Sequence, residues 1–148
     1  MTFKRILIAT DFSDLAARGV QCGIDLARAT KASVLLLHVI ENTWYPGTFG
    51  MGAMPLPDLE SEVRKAAKER LDKLATELGT SEVNCRVQLR DGVPWSEIVN
   101  AAKEEKVDLI VLSTHGYTGI KHALLGSQAE RVVRTATCPV LTVPDEKA

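Results

Sequence analysis

The residues best suited to chemistry lie between Ser113 and Ser127. There Ser113-Thr114-His115-Gly116-Tyr117-Thr118-Gly119 is followed by Ile120 to Leu125 and then by Gly126-Ser127. Gly116, Gly119 and Gly126 permit positive φ and a close approach of backbone to ligand. Gly126-Ser127 opens a segment with helical periodicity. The N–H groups of Ser127, Gln128 and Ala129 would therefore lack intrahelical partners and could face an anion, helped by the helix dipole. The chemistry this permits is phosphate binding. The Ser127 hydroxyl can either cap the helix or touch a phosphate oxygen. The segment has neither the Gly-Lys-Ser/Thr of a Walker loop nor the GxGxxG of a dinucleotide site. Taken alone, turn chemistry explains its glycines as well as a phosphate cradle does.

A second group, Thr10-Asp11-Phe12-Ser13, follows a short apolar run and precedes a helical one. Asp11 reads either as a ligand contact or as a turn residue ahead of a capping serine. His115 reads either as a phosphate partner or as a bond to loop backbone. His38 lies inside an apolar run and reads as a satisfied core histidine. His115 and His122 have no carboxylate or cysteine beside them, so no metal site is expected. Cys22, Cys85 and Cys138 are widely spaced and form no CxxC, and they read as buried reduced thiols. No nucleophile with an adjacent base appears, so efficient turnover is not expected and no catalytic residue is assigned.

The elements that must position these residues are legible from periodicity. Ile6–Ala9, Val34–Val39, Leu109–Leu112 and Val140–Val143 are apolar almost without interruption, as in strands covered on both faces. Val83 to Leu89 alternates and predicts a strand with one wet face at a sheet edge. Helices are predicted from Ser13 to Ala29 with Ser13 as N-cap, and from Asp58 to Leu78 with a stripe of Leu59, Val63, Ala67, Leu71, Leu74 and Leu78. A third helix starts at Pro94 and buries Trp95, Ile98, Val99 and Ala102. The fourth runs from Ser127 to about Thr135, faces Ala129, Val132, Val133 and Ala136 inward, and carries a Ser127–Glu130 capping box. Alternation of strands and helices implies a single α/β domain over 1–148, a five-stranded parallel sheet with right-handed crossovers. Its ligands belong at the C-terminal strand ends, where strand order reverses. Residues 41–57, rich in Gly, Pro and Met, read either as a flap or partner surface or as an unordered connector. Pro139 suits an edge strand, and a free edge invites a second copy.

Bulk composition agrees with an ordinary globular domain. The chain has 148 residues, 45% apolar and 25% charged, with 18 basic against 19 acidic side chains. A net charge of −1 gives no footprint for nucleic acid or an anionic membrane. The N-terminus enters a short strand, with no signal peptide or membrane span, so a cytoplasmic location is expected.

Several separated motifs together resemble the universal stress protein family. They are Lys4-Arg5-Ile6-Leu7-Ile8-Ala9-Thr10-Asp11-Phe12-Ser13, then Thr114-His115-Gly116 with Gly126-Ser127 nine residues on, then Cys138-Pro139-Val140-Leu141-Thr142-Val143. The resemblance covers essentially the whole chain. It implies a sheet order of 3-2-1-4-5, a homodimer through the last strand, Val140 to Val143, and membership of an ATP-binding or a non-binding branch. The ATP-binding pattern is Gly-x-x-Gly, nine residues, Gly-Ser/Thr, and Ser113 stands where its first glycine would be. Carried over by position, Asp11 and Val39 would meet the adenine end, with Ala9 and Thr10 as floor. Leu112, Ser113, His115 and Gly116 would meet ribose and phosphates, and Gly126, Ser127, Gln128 and Ala129 the terminal phosphates. The implied ligand is ATP, with AMP or ADP as alternatives and Mg2+ alongside, in a stress or signalling module with at most slow hydrolysis. The alternative is a dimeric interaction module that binds no nucleotide.

Overall fold

The computed structural model describes residues 2–41, 57–78, 82–114 and 125–144. Its elements follow in the order β1 (Arg5–Ala9), α1 (Asp14–Thr30), β2 (Ser33–Glu41), α2 (Pro57–Glu77), β3 (Cys85–Gly92), α3 (Pro94–Glu104), β4 (Leu109–Ser113), α4 (Ser127–Thr135) and β5 (Val140–Val143). The strands form one sheet in the order β3-β2-β1-β4-β5, and each adjoining pair runs parallel. This is the doubly wound α/β arrangement expected from the alternating elements, and the strand order is the one the resemblance implies.

The chain steps outward from β1 through α1 and α2, returns through α3 to β4, and continues through α4 to β5. Reversing direction with crossovers of one hand puts the two helix pairs on opposite faces of the sheet. The core divides accordingly. Ile6, Ile8, Val34, Leu36 and Val111 pack with Val20 and Ile24 of α1 and Leu71 of α2. Leu7, Leu35, Leu37, Ile110 and Leu112 pack with Ile98 and Val99 of α3 and Val132 of α4. Both faces are covered, which is why β1, β2 and β4 need unbroken apolar runs. Helix α1 lies close to the sheet at two glycines. A Cβ on Gly23 would stand 2.6 Å from Ile8 Cδ1, and one on Gly19 would stand 3.1 Å from the Ser113 nitrogen.

Three expectations are corrected. The apolar stripe of α2 does not stay buried along its length: Leu59 is 54% and Val63 47% exposed, whereas Leu71 is fully buried. Arg64 pairs with Asp91, next to the C-terminal end of β3, so the helix before Arg64 projects beyond the sheet. Val133, expected to face inward, is 47% exposed because α4 buries only the stripe of Ala129 and Val132. Strand β3 begins at Cys85 and reaches Gly92, because it pairs along β2 as far as Glu41. Its polar face is partly covered: Arg86 pairs with Glu105, and Arg90 with Glu97 and Glu104 of α3. The segment read as a flap or connector lies, over 42–56, outside the described residues.

Candidate functional site at the switch point of the sheet

Strands β1 and β4 are neighbours, with Ile8 opposite Val111, and the connections leaving them run in opposite directions. Their C-terminal ends therefore open a crevice at the point of reversal. Ala9, Val39 and Leu112, from three adjacent strands, belong to the apolar cluster on the α3/α4 side, as does Ala129 of α4. Three of these residues, expected as floor, adenine contact and ribose contact, thus share one side of the sheet. Thr10 turns the other way, as alternation along a strand requires. Its buried side chain lines a cleft of about 220 Å³ with Phe12, Ser13, Arg70 and Leu74 on the α1/α2 side. Its N–H donates to Leu37 O at 2.9 Å.

Ser113 ends β4 opposite Val143. Among the described residues the non-glycine positions with positive φ are Phe12, Lys31 and Lys106, so Ser113 is not in the left-handed region. A side chain there carries no backbone strain. Serine in place of the pattern's glycine is conformationally free of cost.

The far wall is the N-terminus of α4. Thr114, buried, donates its N–H to Val143 O at 3.0 Å, and its carbonyl accepts the Gly126 N–H at 2.7 Å. Thr114 and Gly126 therefore stand side by side. Gly126 is the N-cap, at φ −67° and ψ 155°, and no side chain caps the helix. The expected capping box does not form. The bond to Thr114 sets the helix start one residue earlier than the motif suggests, leaving Ser127 as an exposed first helical residue, and Glu130 pairs instead with Arg134 at 3.0 Å. Gly126 does not use the left-handed freedom expected of it. The Gln128 side chain is committed elsewhere, accepting the Trp95 N–H at 3.1 Å where α3 has no capping side chain of its own. The Gln128 side-chain oxygen is thus already engaged by α3. His115 and Gly116 lie outside the described residues.

The near wall is the turn between β1 and α1. Asp11 Oδ1 accepts the Ser13 N–H at 2.9 Å and the Ser13 hydroxyl at 2.5 Å, and Ser13 Oγ accepts the Ala16 N–H as cap of α1. Phe12 has φ 65°, and its N–H donates to Thr10 Oγ1 at 3.1 Å. A phenylalanine in this region is strained by about 1 kcal/mol or more. Its ring stacks 4.3 Å from that of His38, and the Arg70 guanidinium lies 4.7 Å from its centroid. His38 is half-buried and satisfied: Nδ1 donates to Thr10 O at 2.8 Å. Burial pushes the imidazole below its ordinary value of 6.5; the Thr10 carbonyl and Asp11 oppose this, and Arg70 adds to it.

The cysteines are free and half-buried rather than buried, and desolvation raises the thiols of Cys85 and Cys138. Thiols held protonated in this way are poor nucleophiles. Among the described residues no three His, Cys, Asp or Glu side chains gather to hold a metal, and no helix is long and apolar enough to cross a membrane.

Residues 2–144 match the model of the universal stress protein family. The chain belongs to that family. A universal stress protein of Methanocaldococcus jannaschii is 37% identical over 146 residues, covering 98% of this chain and 84% of its own length. A second protein of that organism is 32% identical, over 95% of this chain and 94% of its own length. Its solved structure superposes with a TM-score of 0.82 and 30% identity over the whole of both chains. A universal stress protein from Archaeoglobus fulgidus, solved in complex with dAMP, shares the fold at a TM-score of 0.64 and 24% identity, covering 96% of this chain and 98% of that one.

In this universal stress protein, sequence reasoning missed the partners that fix the two walls. Thr114 and Gly126 meet although 12 positions separate them. Arg70 reaches Phe12 from 58 positions away. Neither contact has a local signal in the sequence.

Proposed function

We propose that this universal stress protein binds an adenine nucleotide, ATP foremost, across the crevice between β1 and β4, and acts as a stress or signalling module. The observation that carries the reading is the bond from Gly126 N–H to Thr114 O. It sets the uncapped N-terminus of α4 beside an apolar floor of Ala9, Val39 and Leu112. Orphan N–H groups next to a flat apolar surface suit phosphate and purine respectively. In this reading Ala9, Val39 and Leu112 underlie base and ribose, with Asp11 at the adenine end; Thr10, expected in the floor, faces the α1/α2 side and offers the ligand only its backbone. Ser113, His115 and Gly116 meet the ribose and phosphates, and Gly126, Ser127, Gln128 and Ala129 the terminal ones. Mg2+ would enter bound to phosphate oxygens, with few direct protein ligands. The dAMP complex of the fold-sharing Archaeoglobus protein supports an adenine ligand in this architecture. Hydrolysis, if present, is slow, and the reading places the protein in the cytoplasm.

The test is direct. Protein purified without added nucleotide is denatured and the supernatant assayed for ATP and AMP, then Mg-ATP is titrated calorimetrically into the folded protein. Released nucleotide or a millimolar-or-better Kd is expected. No nucleotide and no heat up to millimolar ATP would overturn the reading and favour the alternative, a dimeric interaction module. The dimer itself is compatible with both. Strand β5 is an edge of the sheet, half-buried along its length and preceded by Pro139, so a second copy could pair with it about a two-fold axis.

A further inference from the structure

We propose that His38 is a positioning residue for the nucleotide site, holding the strained β1–α1 turn from which Asp11 is presented. The inference rests on the nucleotide reading above. Four backbone positions, Thr10 to Ser13, make the turn, and Phe12 at φ 65° is its unfavourable member. A bulky residue stays in that region only when its surroundings over-determine it. Two of those restraints come from outside the turn. From β2, His38 donates Nδ1–H to Thr10 O at 2.8 Å and stacks on the Phe12 ring at 4.3 Å. From α2, Arg70 covers the same ring at 4.7 Å and reaches Phe12 O at 3.5 Å. Thr10 O can only accept, so Nδ1 carries the proton and Nε2 of the neutral ring is the free base. His38 thus grips the turn one residue before Asp11 and one residue after it. It does so from the α1/α2 side, while the apolar floor lies on the other face of the sheet. His38 therefore acts on the ligand only through the turn.

A second proton on His38 puts a cation against the ring that the Arg70 guanidinium already covers. The charged groups facing it are Asp11 on the turn, which favours the imidazolium, and Arg70 on α2, which opposes it; Lys73 and Glu77 of α2 line the same cleft. An arrangement of the turn that lets the imidazolium reach water binds the proton more tightly, so acid shifts the population toward it. Asp11 is then displaced and the ligand bound less well.

The experiment compares His38→Phe, which keeps a ring on Phe12 but not the bond, with His38→Asn, whose amide N–H can replace Nδ1–H. Adenosine, which has no phosphate to titrate, and ATP are titrated calorimetrically between pH 5.5 and 8, with circular dichroism checking that each variant is folded. Wild-type affinity for adenosine is expected to fall severalfold as pH drops across this range. His38→Asn should bind within about threefold of wild type at pH 8 and show a flat profile, and folded His38→Phe should bind about tenfold more weakly throughout. Wild-type-like binding by His38→Phe, or an unchanged pH profile in His38→Asn, would overturn the proposal. Amide NMR of the ligand-free protein separates this from the nucleotide reading. The signals of Asp11, Phe12 and Ser13 should titrate with the midpoint of the His38 ring protons even if no nucleotide binds. If they do not move, the proposal fails whatever the protein binds.

Discussion

Gly126 donates its backbone N–H to the Thr114 carbonyl at 2.7 Å, so the first residue beyond β4 is bonded to the residue that caps α4. Thr114 is itself held to β5 through Val143 O at 3.0 Å. These two bonds bring a strand end and a helix start together at the reversal of the sheet. The N-cap supplies no side chain to the first N–H groups of the helix.

Gly126→Asp tests that geometry without disturbing the fold. The native φ of −67° and ψ of 155° are open to any residue. Aspartate is also a better N-cap than glycine, by a few tenths of a kcal/mol. The variant should therefore unfold at the same urea concentration as wild type, or slightly higher. Its carboxylate would occupy the place where phosphate approaches, and ATP affinity in calorimetry should fall at least tenfold. Equal affinity in the variant would move the site away from α4.

Ser127→Ala separates the two tasks that serine could perform. Were Ser127 the cap, its loss would cost about 1 kcal/mol. It is instead an exposed first-turn residue, with the cap one position earlier. Chemical denaturation should show a change within about 0.5 kcal/mol, as for most surface substitutions. ATP affinity should drop severalfold through loss of a phosphate hydrogen bond. A destabilisation near 1 kcal/mol with unchanged affinity would reverse both assignments.

The contrast between these residues shows where local sequence stops being informative. Strands β1, β2 and β4 were legible because a strand covered on both faces has to be apolar throughout, and each unbroken run pairs in the sheet. Helix α1 was legible because Ser13 caps it and Val20, Gly23, Ile24 and Ala27 share its buried face. The Ser127–Glu130 motif misled because a bond from Gly126 to Thr114, invisible in the spacing, sets the helix start. The stripe on α2 ran too far because periodicity does not register where the sheet beneath it ends; Arg64, tied to Asp91, marks that limit. That β1 and β4 end side by side, with Asp11 just past one and Ser113 closing the other, was legible through the switch-point rule and the strand order the resemblance implies. Their supports were not: His38 meets Thr10 across 28 positions and Arg70 meets Phe12 across 58.

Gly23→Ala measures how tightly α1 is seated. The new Cβ would lie 2.6 Å from Ile8 Cδ1 and 2.8 Å from Ile8 Cγ1, and Ile8 is fully buried. Overpacking of this kind costs roughly 1–3 kcal/mol. Against it stands the helix propensity gained on replacing glycine by alanine, about 1 kcal/mol. The steric cost should win, leaving a net loss of roughly 1 kcal/mol in urea unfolding with an unchanged m-value. A stabilised variant would mean that Ile8 repacks at little cost.

His38 also gives folding stability a pH dependence of definite sign. Burial lowers its folded pKa below the ordinary 6.5, so the unfolded chain takes up the proton first as acid is added. Stability is therefore fully present above about 6.5 and declines as pH falls through the lowered folded value, because in that window the unfolded state binds more protons. Most carboxylates titrate below this range, so the slope between pH 7.5 and 5.5 reports histidine for the most part. Urea midpoints measured at these two values should fall with pH in wild type. In His38→Asn that slope should shrink, while the midpoint at pH 7.5 changes little if the amide keeps the bond to Thr10 O. A variant with the full wild-type slope would show that the acid sensitivity belongs to another group.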